Sequence, residues 1–462
     1  GLYSSVTDCG AGGISCSICE MARECGGCEV ELDRVPLKYQ GLAPNEIWIS
    51  ESQERMTYAV PEENVERFLA LYKKRGVEAT VVGRFTDSGR ARVNYDGRAV
   101  MDIDLDFLHN GLPQKELSTT PPAPLPAEPK RAPVADLGAE LTAMMARLNL
   151  CSKEYIVRQY DHEVQGGSVI KPLVGVGSDI HSDASVTRPL LQSQAGVALS
   201  SALFPSYGKA DPYQMAACAI DQAFRNVVAV GANPERVALL DNFCWCSSYD
   251  PTRLWQLKEA ARACYDLALA YEAPFISGKD SMFNDFKGYT GSDEPQNISV
   301  LPTLLVSSVG ILEDAKVAQS LDFKATGDAL YVLGETREEL GGSEYARLVN
   351  EREGTTQFGG SVPTVRPEAT AALCRSLHQA ITTGLAASVA PLGLGGLGFA
   401  LAKGALAGGL GGTIDLAAIG ALSPEALLFS ETPGRFLVSV APQNAAALDR
   451  KSTRLNSSHL GI

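Results

Sequence analysis

Apolar and polar positions change period along this chain, and the changes mark its elements. From Thr252 to Tyr271, Leu254, Leu257, Ala261 and Cys264 recur at helical spacing, which predicts one long helix. A second helix is predicted around Tyr213 to Val230, stopped by Gly231. Val237 to Leu240, Pro274 to Ile276 and Leu304 to Ile311 are short β-type apolar runs and read as strands, as do Met56 to Val60 and Phe436 to Val440. Strands and helices of both kinds in one chain predict an α+β fold.

The polar stretches divide these elements into blocks. Residues 113 to 137 hold seven prolines among Thr, Ala and charged residues, the composition of an extended linker. The block before it, 1 to 112, shares an ordered pair of markers with a block near the end of the chain. Gly12-Gly13 precedes Ser50-Glu51-Ser52-Gln53-Glu54-Arg55, and Gly395-Gly396 precedes Ser430-Glu431-Thr432-Pro433-Gly434-Arg435. Each Gly-Gly step opens a helical stretch and each Ser-Glu segment precedes a β-type run. Two copies of one α+β unit, over 1 to 112 and about 326 to 440, are therefore expected. A different unit, 138 to 325, lies between them. The residues from Arg450 match neither copy and read as a non-native tail.

Bulk properties narrow the partners. With 462 residues and 45% apolar content the chain can bury large cores, and its length predicts about three domains. A net charge of −14 argues against nucleic acid or an anionic membrane. No apolar run reaches about 18 residues, so no membrane span is expected. Eleven scattered cysteines fit a reduced, cytoplasmic protein. Cys16-x-x-Cys19 and Cys25-x-x-Cys28 suggest a zinc knot, but only five residues separate the pairs, and the segment also reads as a helix carrying thiols.

Several polar residues stand where chemistry is possible. Asp8 precedes Gly10-Ala11-Gly12-Gly13 at a helix start, a pattern that suits a Mg²⁺-bridged phosphate but taken alone reads more simply as an N-cap with turn glycines. Glu51-Ser52-Gln53 can hydrogen-bond ribose and amide groups, or form a polar strand edge. Asp241 closes an apolar strand, where ligand groups gather in α/β units. Gly278-Lys279-Asp280-Ser281 is no Walker loop, since Ala273 stands where the upstream glycine belongs. Lys209 is a further phosphate candidate or a surface lysine. His162, between Asp161 and Glu163, reads as a brace for its loop rather than a general base.

Six segments together carry a family resemblance: DCGAGGIS (8–15), LDRVPLKYQGLAPNEIWISESQERM (32–56), DHEVQGGSVIKP (161–172), GANPERVALLDNF (231–243), SGKDSM (277–282) and LFSETPGRF (428–436). Over about Asp8 to Val440 the chain resembles the phosphoribosylformylglycinamidine synthases. The resemblance implies tandem aminoimidazole-ribonucleotide-synthetase-like repeats, each of an A and a B half-domain. This chain would hold B1 (1–112), a linker (113–137), A2 (138–325), a truncated B2 (326–449) and the tail (450–462), as a fragment without the first A domain. It implies a purine-biosynthetic ligase that uses ATP, Mg²⁺ and glutamine-derived ammonia from a glutaminase subunit or domain to convert formylglycinamide ribonucleotide to the amidine. Asp8 would then bind metal, Asp241, Gly278 and Lys279 would bind ATP, and Glu51, Ser52, Gln53 and Ser281 would bind substrate. Some members carry asparagine, a Mg²⁺ ligand, where Lys279 stands. The family's catalytic histidine would lie in the missing N-terminal part, so the polypeptide as given is expected to be inactive. Alternatives are another synthetase of the same superfold, for aminoimidazole ribonucleotide or selenophosphate, and a non-catalytic nucleotide-binding scaffold. The second copy, Ala390 to Gly396, has no acid, so its site is expected to be structural or empty.

Overall fold

A computed structural model describes residues 1–52, 54–126, 133–355, 359, 361–452 and 457–460, with side chains to 448. The chain forms two compact units, Gly1–Glu116 and Leu117–Ile462.

In the first unit, β1 (Ser5–Asp8) leads through a glycine turn into α1 (Ile14–Cys25), β2 (Cys28–Glu31), α2 (Pro44–Ile49), β3 (Met56–Ala59) and α3 (Val65–Lys74). β4 (Gly83–Phe85), β5 (Arg90–Tyr95), β6 (Arg98–Asp104) and α4 (Leu105–Asn110) follow. β1 and β3 pair antiparallel, Asp8 opposite Met56. The other strands form a sheet of order β4-β2-β5-β6. Ile14, Ile18, Cys19 and Ala22 line one face of α1 and meet Cys28, Val30, Ala91 and Val93 of that sheet in a small core.

The second unit starts with the proline-rich stretch, which has no helix or strand among its described residues before α5 (Leu137–Met145) and α6 (Glu154–Val157). Short strands β7 (Ser168–Ile170), β8 (Leu173–Val174), β9 (Ile180–His181) and β10 (Ser185–Thr187) precede β11 (Gly196–Ala202). Then come α7 (Pro212–Ala229), β12 (Val237–Cys244), α8 (Pro251–Tyr271), β13 (Phe275–Ser281), the hairpin β14 (Asp285–Tyr289) and β15 (Pro295–Ser299), and β16 (Thr303–Leu312). A six-stranded sheet runs β13-β12-β16-β11-β10-β7, parallel only between β12 and β13. β16 alternates buried and half-buried residues along its whole length, so the sheet has one core face, on which α7 packs, and one open face.

The chain continues through β17 (Ala329–Leu333), α9 (Glu344–Glu353), α10 (Pro367–Thr382), β18 (Ser388–Pro391), α11 (Gly396–Gly408), α12 (Pro424–Phe429), β19 (Phe436–Val440), α13 (Pro442–Ser452) and β20 (Ser457–Leu460). The second sheet runs β18-β19-β17-β20, and β20 brings residues 457–460 of the expected tail into register on β17. Leu330, Val332, Ala390 and Leu437 on one face meet Leu397 and Ala400 of α11. Tyr331, Leu333, Val389 and Val438 on the other face join the core around α7. That placement explains why α7 is buried almost all round and why every residue of β19 is buried.

The two copies share a common skeleton. β1, α1, α2 and β3 correspond to β18, α11, α12 and β19, with the same antiparallel end pairs, Asp8 opposite Met56 and Pro391 opposite Phe436. The sheet of β2, β4, β5 and β6 has no counterpart there, because the chain after α11 runs on to α12 without a strand. Two strands are longer than the apolar runs indicated. β12 continues through Asp241 to Cys244 and β13 through Gly278 to Ser281, since each supplies the other's backbone partners. Asp241 and the Gly278–Ser281 segment are therefore strand residues, not loop residues.

Both glycine turns demand glycine. Gly13 has φ 59°, and a Cβ there would lie 2.0 Å from the Ser50 carbonyl oxygen; Gly396 has φ 65° and would meet the Ser430 oxygen at 2.6 Å. Gly13→Ala and Gly396→Ala should each destabilise their unit by about 2–4 kcal/mol. A loss of unfolding free energy under about 0.5 kcal/mol for either, from urea titration, would contradict the close approach.

Candidate functional site

The first unit brings Asp8, the glycine turn and Glu51 together. The Cys9 N–H donates to the Arg55 carbonyl at 3.0 Å, extending the β1–β3 pairing by one step. The turn closes with Gly13 N–H to Gly10 O at 2.9 Å, and Gly12 N–H donates to Glu51 Oε1 at 3.2 Å. α1 has neither a side-chain cap nor an acid in its first turn, so its amide end favours an anion. Asp8 is exposed, and its carboxylate has no hydrogen-bond partner among the described residues. The Ser52 hydroxyl lies 2.9 Å from that of Ser50. Gln53 lies outside the described residues.

The second copy has the same skeleton with its openings filled. Leu392 N–H donates to Arg435 O at 3.0 Å, Gly396 N–H to Gly393 O at 3.0 Å, and Gly395 N–H to Glu431 Oε1 at 2.8 Å. This register places Pro391 where Asp8 stands. Glu431 is buried and also accepts from the Glu344 N–H at 3.0 Å and from the Tyr207 hydroxyl. Burial pushes its carboxyl up to about 7, against the pull of those donors. Beside this copy lies a cavity of about 260 Å³, bordered by Pro391, Gly393, Gln222, Asn226, Asp183 and Lys403. The Asp183 carboxylate there is paired with Lys403 at 2.8 Å.

In the six-stranded sheet, Asp241 faces Gly278 across the parallel pair. A Cβ at 278 would fall 1.8 Å from Asp241 Oδ1, so the carboxylate fills the space that glycine leaves. Desolvation raises the Asp241 pKa, and the Asp280 charge adds to the rise. Neighbours in register share a face, so Asp241, Gly278 and Asp280 lie on the core face with Leu239 and Phe243. Lys279 and Ser281 lie on the open face with Asn242 and Cys244. β13 is the edge strand, so a ligand along that edge can touch both sets. The Ser281 hydroxyl is held by Asn284 Nδ2 at 3.0 Å.

Other singled-out residues stand apart from these two groups in their contacts. His162 Nδ1 lies 3.0 Å from the Tyr160 carbonyl oxygen and its Nε2 3.7 Å from Glu163, whose carboxylate binds Lys171 at 2.7 Å. Lys209 is exposed in a short turn after Tyr207. The four cysteines from Cys16 to Cys28 split between α1 and β2, and among the described residues no group of three or more His, Cys, Asp or Glu is arranged to hold a metal.

A buried polar group on α7 escaped the sequence reading. Arg225 pairs with Asp221 at 2.6 Å and donates to Leu392 O at 2.8 Å and Arg435 O at 3.0 Å, and Tyr271 donates to Asp221 at 2.7 Å. The signal was present as an acid and an arginine four apart in an otherwise Ala- and Val-rich helix.

Comparison with known proteins agrees with this architecture. The model for the AIR synthase related protein C-terminal domain matches twice, at residues 1–96 and 325–459, and that for the N-terminal domain matches 181–301. The chain is 36% identical over 458 residues to the phosphoribosylformylglycinamidine synthase subunit PurL of Nocardioides sp., covering 96% of this chain and 56% of that protein. It is 34% identical over 466 residues to the subunit of the same name from Methanocaldococcus jannaschii, covering 100% of this chain and 60% of that protein. The chain thus spans little more than half the length of these relatives. Thermotoga maritima PurL complexed with ATP superposes with a TM-score of 0.63 at 21% identity, covering 100% of this chain and 63% of that one, a likeness of fold.

The raised Glu431 pKa has a measurable consequence. The folded protein holds this proton more tightly than the unfolded chain, whose value is near 4.5. That contribution is complete below about 4.5 and is lost as pH rises through about 7, with a ceiling of about 3 kcal/mol. Relative to Glu431→Gln, the wild type should therefore lose stability between pH 5 and pH 8 in urea titrations. A difference that stays constant with pH would show that Glu431 does not titrate there.

Proposed function

The chain belongs to the AIR synthase related proteins, and from that premise we propose that it is part of a phosphoribosylformylglycinamidine synthase. The reaction is the ATP-dependent conversion of formylglycinamide ribonucleotide to its amidine, with ammonia supplied from glutamine by a glutaminase subunit or domain in the cytoplasm. The observation that carries this reading is the asymmetry between the copies. One turn presents a free carboxylate, Asp8, beside an uncapped helix end, while its twin has Pro391 and a buried Glu431. The curated relatives that span the chain support the choice of reaction. A solved structure of Thermotoga maritima PurL complexed with FGAR supports the substrate class.

The chemistry requires the amide oxygen of the substrate to attack the γ-phosphorus of ATP with ADP leaving. Ammonia then adds to the activated carbon and phosphate departs. Asp8 would hold Mg²⁺, an ion commonly bound through one or two carboxylates together with substrate phosphates and waters. The bound ion would neutralise phosphate charge. In the first unit the first turn of α1 supplies N–H groups toward an anion. In the second unit Lys279 offers a cation that cannot itself ligate metal. Glu51 has one oxygen committed to Gly12 and the other available to substrate. Ser52 offers a hydroxyl in the first unit. In the second, Ser281 offers another, and Asp241 with Gly278 forms a close-packed edge suited to a nucleotide.

Two measurements on the full-length protein test this reading. Ammonium-dependent ADP formation should require formylglycinamide ribonucleotide, and nucleotide binding should be detectable separately by titration. Binding without turnover would favour the scaffold alternative. Asp8→Asn should lower turnover by roughly 100-fold or more while leaving the thermal midpoint nearly unchanged. Near-normal turnover would remove Asp8 from the metal role.

A further inference from the structure

Resting on that function, we propose that Arg55 is a positioning residue that clamps the backbone on either side of Glu51, at Ser50 and Ser52, into its substrate-binding shape. Its Nε donates to the Ser52 carbonyl at 3.3 Å and its Nη2 to the Ser50 carbonyl. The guanidinium thus bridges the two carbonyls that flank Glu51. The same fork recurs in the second copy, where Arg435 Nε donates to Thr432 O at 2.9 Å and Nη2 to Ser430 O at 2.7 Å. Two segments of different sequence keep one device, so the fork belongs to the loop's geometry and not to its neighbours. A planar fork can hold two carbonyls at a fixed spacing, which lysine cannot.

The first copy has a reason to need the clamp. Glu54 takes φ 61°, a conformation disfavoured for a residue with a side chain, where the second copy has Gly434 at φ 71°. The candidate substrate loop is strained at the residue just before Arg55, and its relaxed twin is not. The fork holds the strained loop in place, with Glu51 directed to the Gly12 amide.

Steady-state kinetics of the full-length protein with ammonium as nitrogen donor test the proposal. Arg55→Ala should raise KM for formylglycinamide ribonucleotide roughly tenfold or more, leaving KM for ATP within about twofold and the thermal midpoint nearly unchanged. Arg55→Lys should recover little. Adding Glu54→Gly to Arg55→Ala should recover part of the loss, because glycine relaxes the strained position. An unchanged KM for the ribonucleotide would overturn the proposal. So would a parallel rise in both KM values with a large fall in thermal midpoint, the mark of a merely structural arginine. If the wild type shows no ribonucleotide-dependent turnover, the functional reading fails by itself and amide exchange decides the clamp. Faster exchange across residues 50–55 in Arg55→Ala, slowed again by Glu54→Gly, upholds it; unchanged exchange rejects it.

Discussion

The hydrogen bond from a turn glycine to a glutamate carboxylate is the constraint on which the repeated unit depends. It ties the start of a helix to the segment before the strand that pairs with the one preceding the turn, 39 residues away in the first copy and 36 in the second. Glycine is required at the turn because the backbone approaches a carbonyl too closely for a Cβ. A glutamate side chain has the reach to accept from the turn amide while its backbone continues toward the strand. The arginine four residues on returns its guanidinium to the same segment. Turn, acid and base thus form one closed device, and the strands β1–β3 and β18–β19 are its two rails.

What differs between the copies is what surrounds that device. The second is enclosed by α7, and its polar groups are answered by protein. Arg225 caps the Leu392 and Arg435 carbonyls, Asp221 neutralises Arg225, and Tyr207 and the Glu344 amide occupy Glu431. Buried charges survive only when paired and hydrogen-bonded in this way, and removing one partner from such a group typically costs about 3–5 kcal/mol. The first copy leaves Asp8 and one Glu51 oxygen without such partners among the described residues. The first copy carries the carboxylate of Asp8 where the second has Pro391, which is why the first copy is the candidate site.

Much of this was legible in the sequence, for reasons that sort by range. The helices α7 and α8 were visible because their signals are local: Leu254, Leu257, Ala261 and Cys264 recur at helical spacing in α8, and Gly231 follows the end of α7. The repeat was visible because Gly-Gly and Ser-Glu are exacting local chemistry. The extent of β12 and β13 was not. Asp241-Asn242 and Gly278-Lys279-Asp280 look like loop residues, and they are strand residues because a parallel neighbour takes their backbone groups. The sheet order is equally non-local, and no local pattern reveals that Asp241 and Lys279 fall on opposite faces.

The strained Glu54 carries the comparison one step further. A sequence that relaxes this position with glycine in the buried copy and keeps glutamate in the open one places its strain at the candidate site. Strain of that kind persists only where surrounding bonds over-determine the backbone. Here those bonds are the Arg55 fork on one side and the Cys9–Arg55 backbone link on the other. The open copy is thus the less relaxed of two otherwise matching designs. Rigidity imposed by the fork offsets a local conformational preference, and it keeps Glu51 beside the turn where a ligand would find it already placed.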